Sequence, residues 1–291
     1  MPRRLAKLRL NSAEILLFLT IFTCTVYFSE IAYQTSNYTS RLFLTEALVD
    51  HRTFRLDDYE STLGVDAARY QDHLYSDKPP GSSFIMLPQY LLLGKPLKWV
   101  FHTLDINIAV QNQDYAVSDV LAGWLVQIFS LGLYSAVSLV AFYRILGLLD
   151  TGHRFLLTLL FYFGTLIFPY ATIGTGEMFT VPPLLLGLYH LLKSHFTDQE
   201  EKHYLWAGFW YGLAFFVTNQ VLLLIGVAAL ALLLATRKFK PVIRFLLPPL
   251  VFALLTLGYN WLLFDHPLHF PQQYWIQGDP QVVLFGWPSL H

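Results

Sequence analysis

The residues best placed to do chemistry in this sequence stand together at Tyr75-Ser76-Asp77-Lys78-Pro79-Pro80-Gly81. An acid and a base are adjacent, and two prolines follow. Neither proline can continue a helix, and each biases the residue before it toward an extended backbone, so Lys78 is held at a rigid, non-helical corner. Gly81 allows a sharp exit into the apolar run that starts at Phe84. A fixed acid–base pair where polar chain meets an apolar run suits a charged headgroup. The plainer alternative is a turn between two membrane elements with both charges solvated. Glu177, in Gly174-Thr175-Gly176-Glu177, is a second candidate. A carboxylate flanked by apolar runs is costly unless it faces water, a partner or a site. It could hold Lys78, orient an acceptor or bind a divalent cation; alternatively it is exposed and caps the helix that follows.

Other reactive residue types carry less. His51, His73, His266 and His269 lack a metal spacing such as His-Glu-x-x-His and read as surface histidines. The one cysteine, Cys24, excludes an intramolecular disulfide and a cysteine metal cluster. Asn37-Tyr38-Thr39 matches the N-glycosylation tripeptide, which is common by chance. Trp99, Tyr274 and Trp275 read as aromatics of a membrane belt.

The elements that must position these groups are set by composition. Of 291 residues, 55% are hydrophobic and only 13% charged, against roughly 25% charged in a soluble domain. Several apolar runs are long enough for a bilayer core of about 30 Å, so the expectation is an all-α, polytopic membrane protein with about seven spans. The net charge of −1 and the lack of a basic arm argue against nucleic acid as a partner. Arg3, Arg4, Lys7 and Arg9 precede the first apolar run. The run is too long and its end too poor in small residues for a cleaved signal, so it reads as a first span from Glu14 to Tyr33.

Residues 1–13 then form a basic cytoplasmic N-terminus, 14–264 a membrane module, and 265–291 a tail on the outer side. An outer loop, 34–117, carries a helical pattern over Arg41 to Val49 suited to the membrane surface. A second interfacial or re-entrant helix runs from Phe84 to Leu93 and ends at Gly94-Lys95-Pro96. Further spans follow at Val120 to Tyr143, Phe155 to Thr172 and Met178 to Leu192. The stretch Tyr204 to Ala235 splits at Thr218-Asn219-Gln220 or forms one long tilted helix, and the last span runs from Val242 to Phe264. The layout with the split puts about twelve Lys and Arg inside and seven outside, as the positive-inside rule favours. It gathers Asp77, Lys78, Glu177 and Asn219 on one face, outside a plasma (inner) membrane.

These residues resemble the membrane glycosyltransferases of the GT-C superfamily, in the style of the protein O-mannosyltransferases and the aminoarabinose transferase that modifies lipid A. The likeness rests on the Arg41 to Leu48 helix, the Asp77-Lys78-Pro79-Pro80-Gly81 corner, Phe84-Ile85-Met86-Leu87-Pro88, the acid Glu177 at an outer corner, Thr218-Asn219-Gln220, and Gly258-Tyr259-Asn260-Trp261 in the last helix. It covers nearly the whole chain. The resemblance implies a seven-helix module and transfer of a sugar from a polyprenyl-phosphate donor to a protein, lipid or glycan acceptor. Lys78 then receives the donor phosphate, with Arg41 and Arg69 as auxiliary cations. The family has an acid just before the arginine of its first outer helix, whereas Asn37-Tyr38-Thr39-Ser40 stands here. The base is therefore sought first at Asp66, which relatives of the Asp-Lys-Pro-Pro-Gly form often carry, then at Glu30 and Asp77. No cofactor is implied apart from a candidate divalent cation. Full members continue beyond the module, so a truncated or minimal member is expected. Two rivals stand beside the enzyme: a non-catalytic relative that binds polyprenyl phosphate, and a transporter of small solutes or lipid. The spans carry few buried ionisable residues and no paired broken helices, which weighs against transport.

Overall fold

A computed structural model describes residues 10–30, 35–101, 106–110, 113–196 and 200–276. The basic residues Arg3, Arg4, Lys7 and Arg9, the end of the expected first span at Tyr33, and the tail beyond Ile276 lie outside the described residues.

Helix α1, Ser12–Phe28, opens on a capping box in which Asn11 and Glu14 bond each other's backbone N–H at 2.9 Å. Both carboxylate oxygens of Glu14 also accept from Arg144, at 2.7 and 3.1 Å, which ties the start of this helix to a distant one. Helix α2, Ser36–Glu46, follows. It does not lie on a surface as its pattern suggests, because every residue from Tyr38 to Ala47 is buried. Ser36, Asn37, Ser40 and Thr45 bond partners elsewhere in the protein, and Arg41 and Thr39 bond within the helix or its cap, so a polar composition is compatible with an interior helix. At its end Glu46 Oε2 pairs with Lys98 Nζ at 2.8 Å, and Lys98 also meets Asp119 at 3.1 Å. Nearby, Asp50 takes Lys95 Nζ at 2.8 Å and the hydroxyl of Tyr90.

Two β-hairpins depart from the all-helical expectation. Strand β1, Ala67–Tyr70, pairs antiparallel with β2, His73–Ser76. The two-residue turn places Gln71 and Asp72 at φ +48° and +63°, the geometry that matches the twist of the flanking strands. Helices α3, Gly81–Gln89, and α4, Lys95–Phe101, are joined by the π-turn Tyr90–Gly94. The expected stop at Gly94-Lys95-Pro96 is therefore a bulge within a longer helical stretch. Strands β3, Asn107–Val110, and β4, Gln113–Ala116, form the second hairpin.

Helices α5, Val117–Gln127, and α6, Leu133–Leu148, are fused through a π-turn into one 32-residue helix. Helices α7, Arg154–Phe163, and α8, Ile167–Ile173, meet at a 54° bend. Then come α9, Val181–Ser194; α10, Glu200–Val217; α11, Val221–Thr236; and α12, Phe239–Phe264. The break at Thr218-Asn219-Gln220 falls where the sequence places it.

At 1.5 Å per residue, the fused helix and the 26-residue α12 measure about 48 and 39 Å, enough for a hydrocarbon core of about 30 Å. The bent α7–α8 pair is a third candidate, while α1 and α11 are apolar but shorter. Only 22% of the apolar window of α12 is buried, against 67% of the fused helix, so α12 turns most of its surface outward. The chain is thus mostly helical, with two or three apolar helices of membrane-spanning length among the described residues. Helix α10 packs between α9 and α12, and its C-terminal end touches α3.

Candidate functional site

The hairpin register explains why residues distant in sequence meet. Ala67 is paired with Ser76, the last rung of the ladder at the open end. Asp66 and Asp77 are the next residues outward on either strand, so they face each other, and Lys78 follows immediately. Lys78 Nζ donates to Asp66 Oδ1 at 3.0 Å and to Asp77 Oδ2 at 2.7 Å. Two of its three N–H donors are thereby committed. Asp77 is 4% exposed, and its Oδ1 has no hydrogen-bond partner among the described residues. Burial pushes the Asp77 carboxyl above its usual range, and the neighbouring Lys78 only partly offsets this.

Helix α2 supplies the wall behind this pair. Ser36 Oγ donates to Asp66 Oδ2 at 2.8 Å, Ser40 and Ser76 share a hydroxyl–hydroxyl bond of 2.8 Å, and Ser83 Oγ donates to Arg41 O at 2.8 Å. Arg41 is 4% exposed. Its Nη1 donates to Asn37 O and Oδ1, and the same Oδ1 accepts the backbone N–H of Gly176 at 2.9 Å. Asn37, read from the sequence as a glycosylation match, thus joins the arginine to the Glu177 corner. Arg41 Nε has no partner among the described residues. Burial lowers the pKa of Arg41, opposed by the charges of Glu177, Asp77 and Asp66, so the four groups share one electrostatic field.

Two glycines make the close approaches possible. A Cβ on Gly176 would fall 2.0 Å from Arg41 Cζ, so the guanidinium lies directly on the glycine backbone. A Cβ on Gly81 would lie 2.5 Å from the carbonyl of Phe216. Gly81 is needed because the chain leaving the Pro-Pro corner presses against the end of α10, rather than for turn flexibility.

Beside this polar corner lies a 580 Å³ apolar cavity. Gly81, Phe84, Phe216, Phe252 and Tyr259 line it, from α3, α10 and α12. Tyr259 also packs with Tyr75, two residues before Asp77. Its ring is buried, and its hydroxyl finds no hydrogen-bond partner among the described residues.

The structure brings together Arg41, Asp66, Asp77 and Lys78, with Glu177 at their edge. Glu177 is exposed at the start of a 3₁₀ turn, makes no capping bond, and does not hold Lys78. Arg69 is not at the corner: it pairs with Glu60 at 2.6 Å on the solvated side of β1. Glu30 is exposed and engages Thr172 only through its backbone, with Gln127 holding both carbonyls nearby. Among the described residues no group of three or more acids, histidines or cysteines is spaced for a metal. His73 pairs with Asp57 at 2.8 Å, and His269 with the Tyr274 hydroxyl at 2.8 Å. Sequence reasoning missed Ser36, read Asn37 only as a glycosylation match, and gave Tyr259 only as part of a motif in the last helix. Asn37 stands one helical turn before Arg41, the spacing at which side chains meet, and that signal was present.

Comparison of the chain with protein-family models, curated proteins and solved structures gave no match.

Proposed function

We propose that this chain is an integral-membrane glycosyltransferase of the GT-C type. It moves a sugar from a polyprenyl-phosphate donor to an acceptor hydroxyl at the outer face of the membrane. In this reading the module crosses the membrane seven times with its N-terminus in the cytoplasm. The observation that carries the reading is the junction of an apolar cavity with a cluster of two carboxylates and two cations, of which Asp77 and Arg41 are buried and Asp66 and Lys78 half-buried, meeting at Gly81 and Tyr259. A ligand with a long apolar tail and a charged, hydroxyl-rich head fits such a junction; neither half alone would need the other.

The chemistry is a displacement at the anomeric carbon. The acceptor oxygen bonds to that carbon as the bond to the phosphate oxygen breaks, and the electron pair departs with the phosphate. The acceptor proton passes to Asp66, the more accessible of the two carboxylates on Lys78. Lys78 stabilises the developing phosphate charge with its remaining donor, in a wall of low polarity where such an interaction is strong. For this Asp66 must let go of Lys78 as the phosphate arrives. The ion pair with Lys78 is also the observation that favours a second reading, a non-catalytic relative that binds the lipid phosphate and keeps Asp66 as a structural partner.

The test is native mass spectrometry of the protein extracted gently from its own membrane. A bound mass matching a sugar on a polyprenyl phosphate supports the enzyme. Retention of polyprenyl phosphate without any sugar transfer supports the second reading. Ordinary phospholipid alone, with no gain on adding polyprenyl phosphate, overturns both.

A further inference from the structure

Trp275 reads from the sequence as a belt aromatic, but its indole is committed elsewhere. Its Nε1 donates to Val65 O at 2.6 Å, and Ile276 N donates to Ala67 O at 3.0 Å. Trp275 also bridges Ala68 as an antiparallel neighbour on the free edge of β1. The two acceptor carbonyls belong to the residues on either side of Asp66. Just before them Gly64 has φ +70°, a conformation glycine adopts without steric cost. The stretch carrying Asp66 therefore has a glycine pivot at one end, and its backbone is tied at two points by residues about two hundred positions downstream.

The segment that supplies these ties is itself anchored. Asp265, at the end of α12, accepts from Tyr70 Oη at 3.2 Å and Gln71 Nε2 at 3.0 Å, at the hairpin tip. The ring of Tyr274 stacks on Phe264 with centroids 5.0 Å apart and meets Tyr70 edge-on at 4.9 Å. Residues 265–276 thus follow the hairpin from its tip back to its base.

We infer that Trp275 and Ile276 form a strap that sets the position of Asp66, and that Trp275 is a positioning residue acting through that carboxylate on Lys78. Ser36 and Lys78 hold the Asp66 side chain, whereas the strap holds its backbone. A base must lie within hydrogen-bond reach of the proton it takes, so a small backbone displacement matters. The catalytic consequence rests on the role proposed above for Asp66; the strap itself does not.

Two variants of the full chain separate these parts. Trp275→Phe keeps a ring and removes the donor, and Ile276→Pro removes the other N–H. In a Cys24→Ser, Asp66→Cys background, each should raise labelling of position 66 by an impermeant maleimide about fivefold, the worth of one hydrogen bond. Labelling at Glu30→Cys should not change. An unchanged rate at position 66, or an equal rise at both positions, overturns the strap. The positioning role is read from binding of farnesyl phosphate to the chain in nanodiscs. Asp66 competes with the phosphate for Lys78, so loosening it by Trp275→Phe should strengthen binding about fivefold beside Asp66 and not beside Asp66→Asn. No change beside Asp66, or an equal change in both backgrounds, overturns that role. If the unaltered chain binds no farnesyl phosphate, the proposed function fails, while the labelling rates still decide the strap.

Discussion

Asp66 and Asp77 face each other one step beyond the Ala67–Ser76 rung, and the ammonium of Lys78 bonds both. Lys78 is thus more than a rigidly presented cation. It bonds two carboxylates, one of which is buried with an oxygen that has no hydrogen-bond partner among the described residues.

Lys78→Ala should therefore do two things. It should abolish sugar transfer, and it should lower stability by about 3–5 kcal/mol, because removing one partner leaves a buried charge uncompensated. Adding Asp77→Asn should restore much of the melting temperature and none of the transfer. Thermal unfolding in detergent, measured alongside transfer, checks this. Retained transfer in the single variant would remove Lys78 from the mechanism.

Gly176→Ala places a methyl on the Arg41 guanidinium. Arg41 is buried and held by Asn37, so the clash is relieved only by breaking that contact. A loss of about 1–3 kcal/mol is expected, as for overpacking of an interior site. A second loss of similar size on adding Asn37→Ala would show that Arg41 is not the residue displaced, because the two changes should be sub-additive.

Tyr259→Phe removes a buried hydroxyl that has no partner among the described residues. For folding alone the change should be neutral or stabilising by about 1 kcal/mol, since an unsatisfied buried polar group is costly. If the cavity receives a lipid phosphate, the same variant should retain it about tenfold less well. Native mass spectrometry with added polyprenyl phosphate reads the second effect, and the melting temperature reads the first.

Glu46 gives the pH prediction. Burial raises its carboxyl from the ordinary 4.5 to about 7, against the pull of Lys98, with Asp119 and Asp50 adding to the rise. The native state thus holds this proton more tightly than the unfolded chain. Its contribution to stability is fully present below about 4.5 and is lost as pH rises through about 7. Glu46→Gln cannot titrate and leaves Lys98 paired with Asp119. The difference in melting temperature between the two proteins should shift in favour of Glu46→Gln as pH rises from 4.5 to 7. A difference independent of pH would contradict the shift.

The corner itself was legible because Pro-Pro-Gly fixes the backbone locally, and local sterics do not depend on partners. The Asp66–Lys78 contact depends on the register of a hairpin whose strands are four residues each, with no clean alternation. Residue type and family likeness singled out Asp66, but no pattern in the sequence announced the strands. Arg69 lies apart from the corner for the same reason: on β1 it alternates to the solvated side and pairs with Glu60. The helical pattern over Arg41 to Val49 suits the membrane surface, and only tertiary contacts reveal that Ser36, Ser40 and Thr45 bond Asp66, Ser76 and the carbonyl of Ser83 in the interior. Asn37 was masked by a common tripeptide, although its spacing to Arg41 was informative. Of the about seven spans the apolar runs suggest, two or three described helices reach membrane-spanning length, because length and hydropathy are properties of the run while breaks such as the 54° bend between α7 and α8 are not.

The contact between Gly81 and the carbonyl of Phe216 has a consequence for the bilayer. With no side chain to cushion it, the corner rides on the last turn of α10. A helix that spans a bilayer tilts to match the hydrocarbon thickness around it. In the seven-span arrangement proposed above, where α10 crosses the bilayer, a membrane of different acyl-chain length would carry Gly81, and with it Lys78, to a new angle over the cavity, so the lipid composition of the host membrane would become a setting of the site.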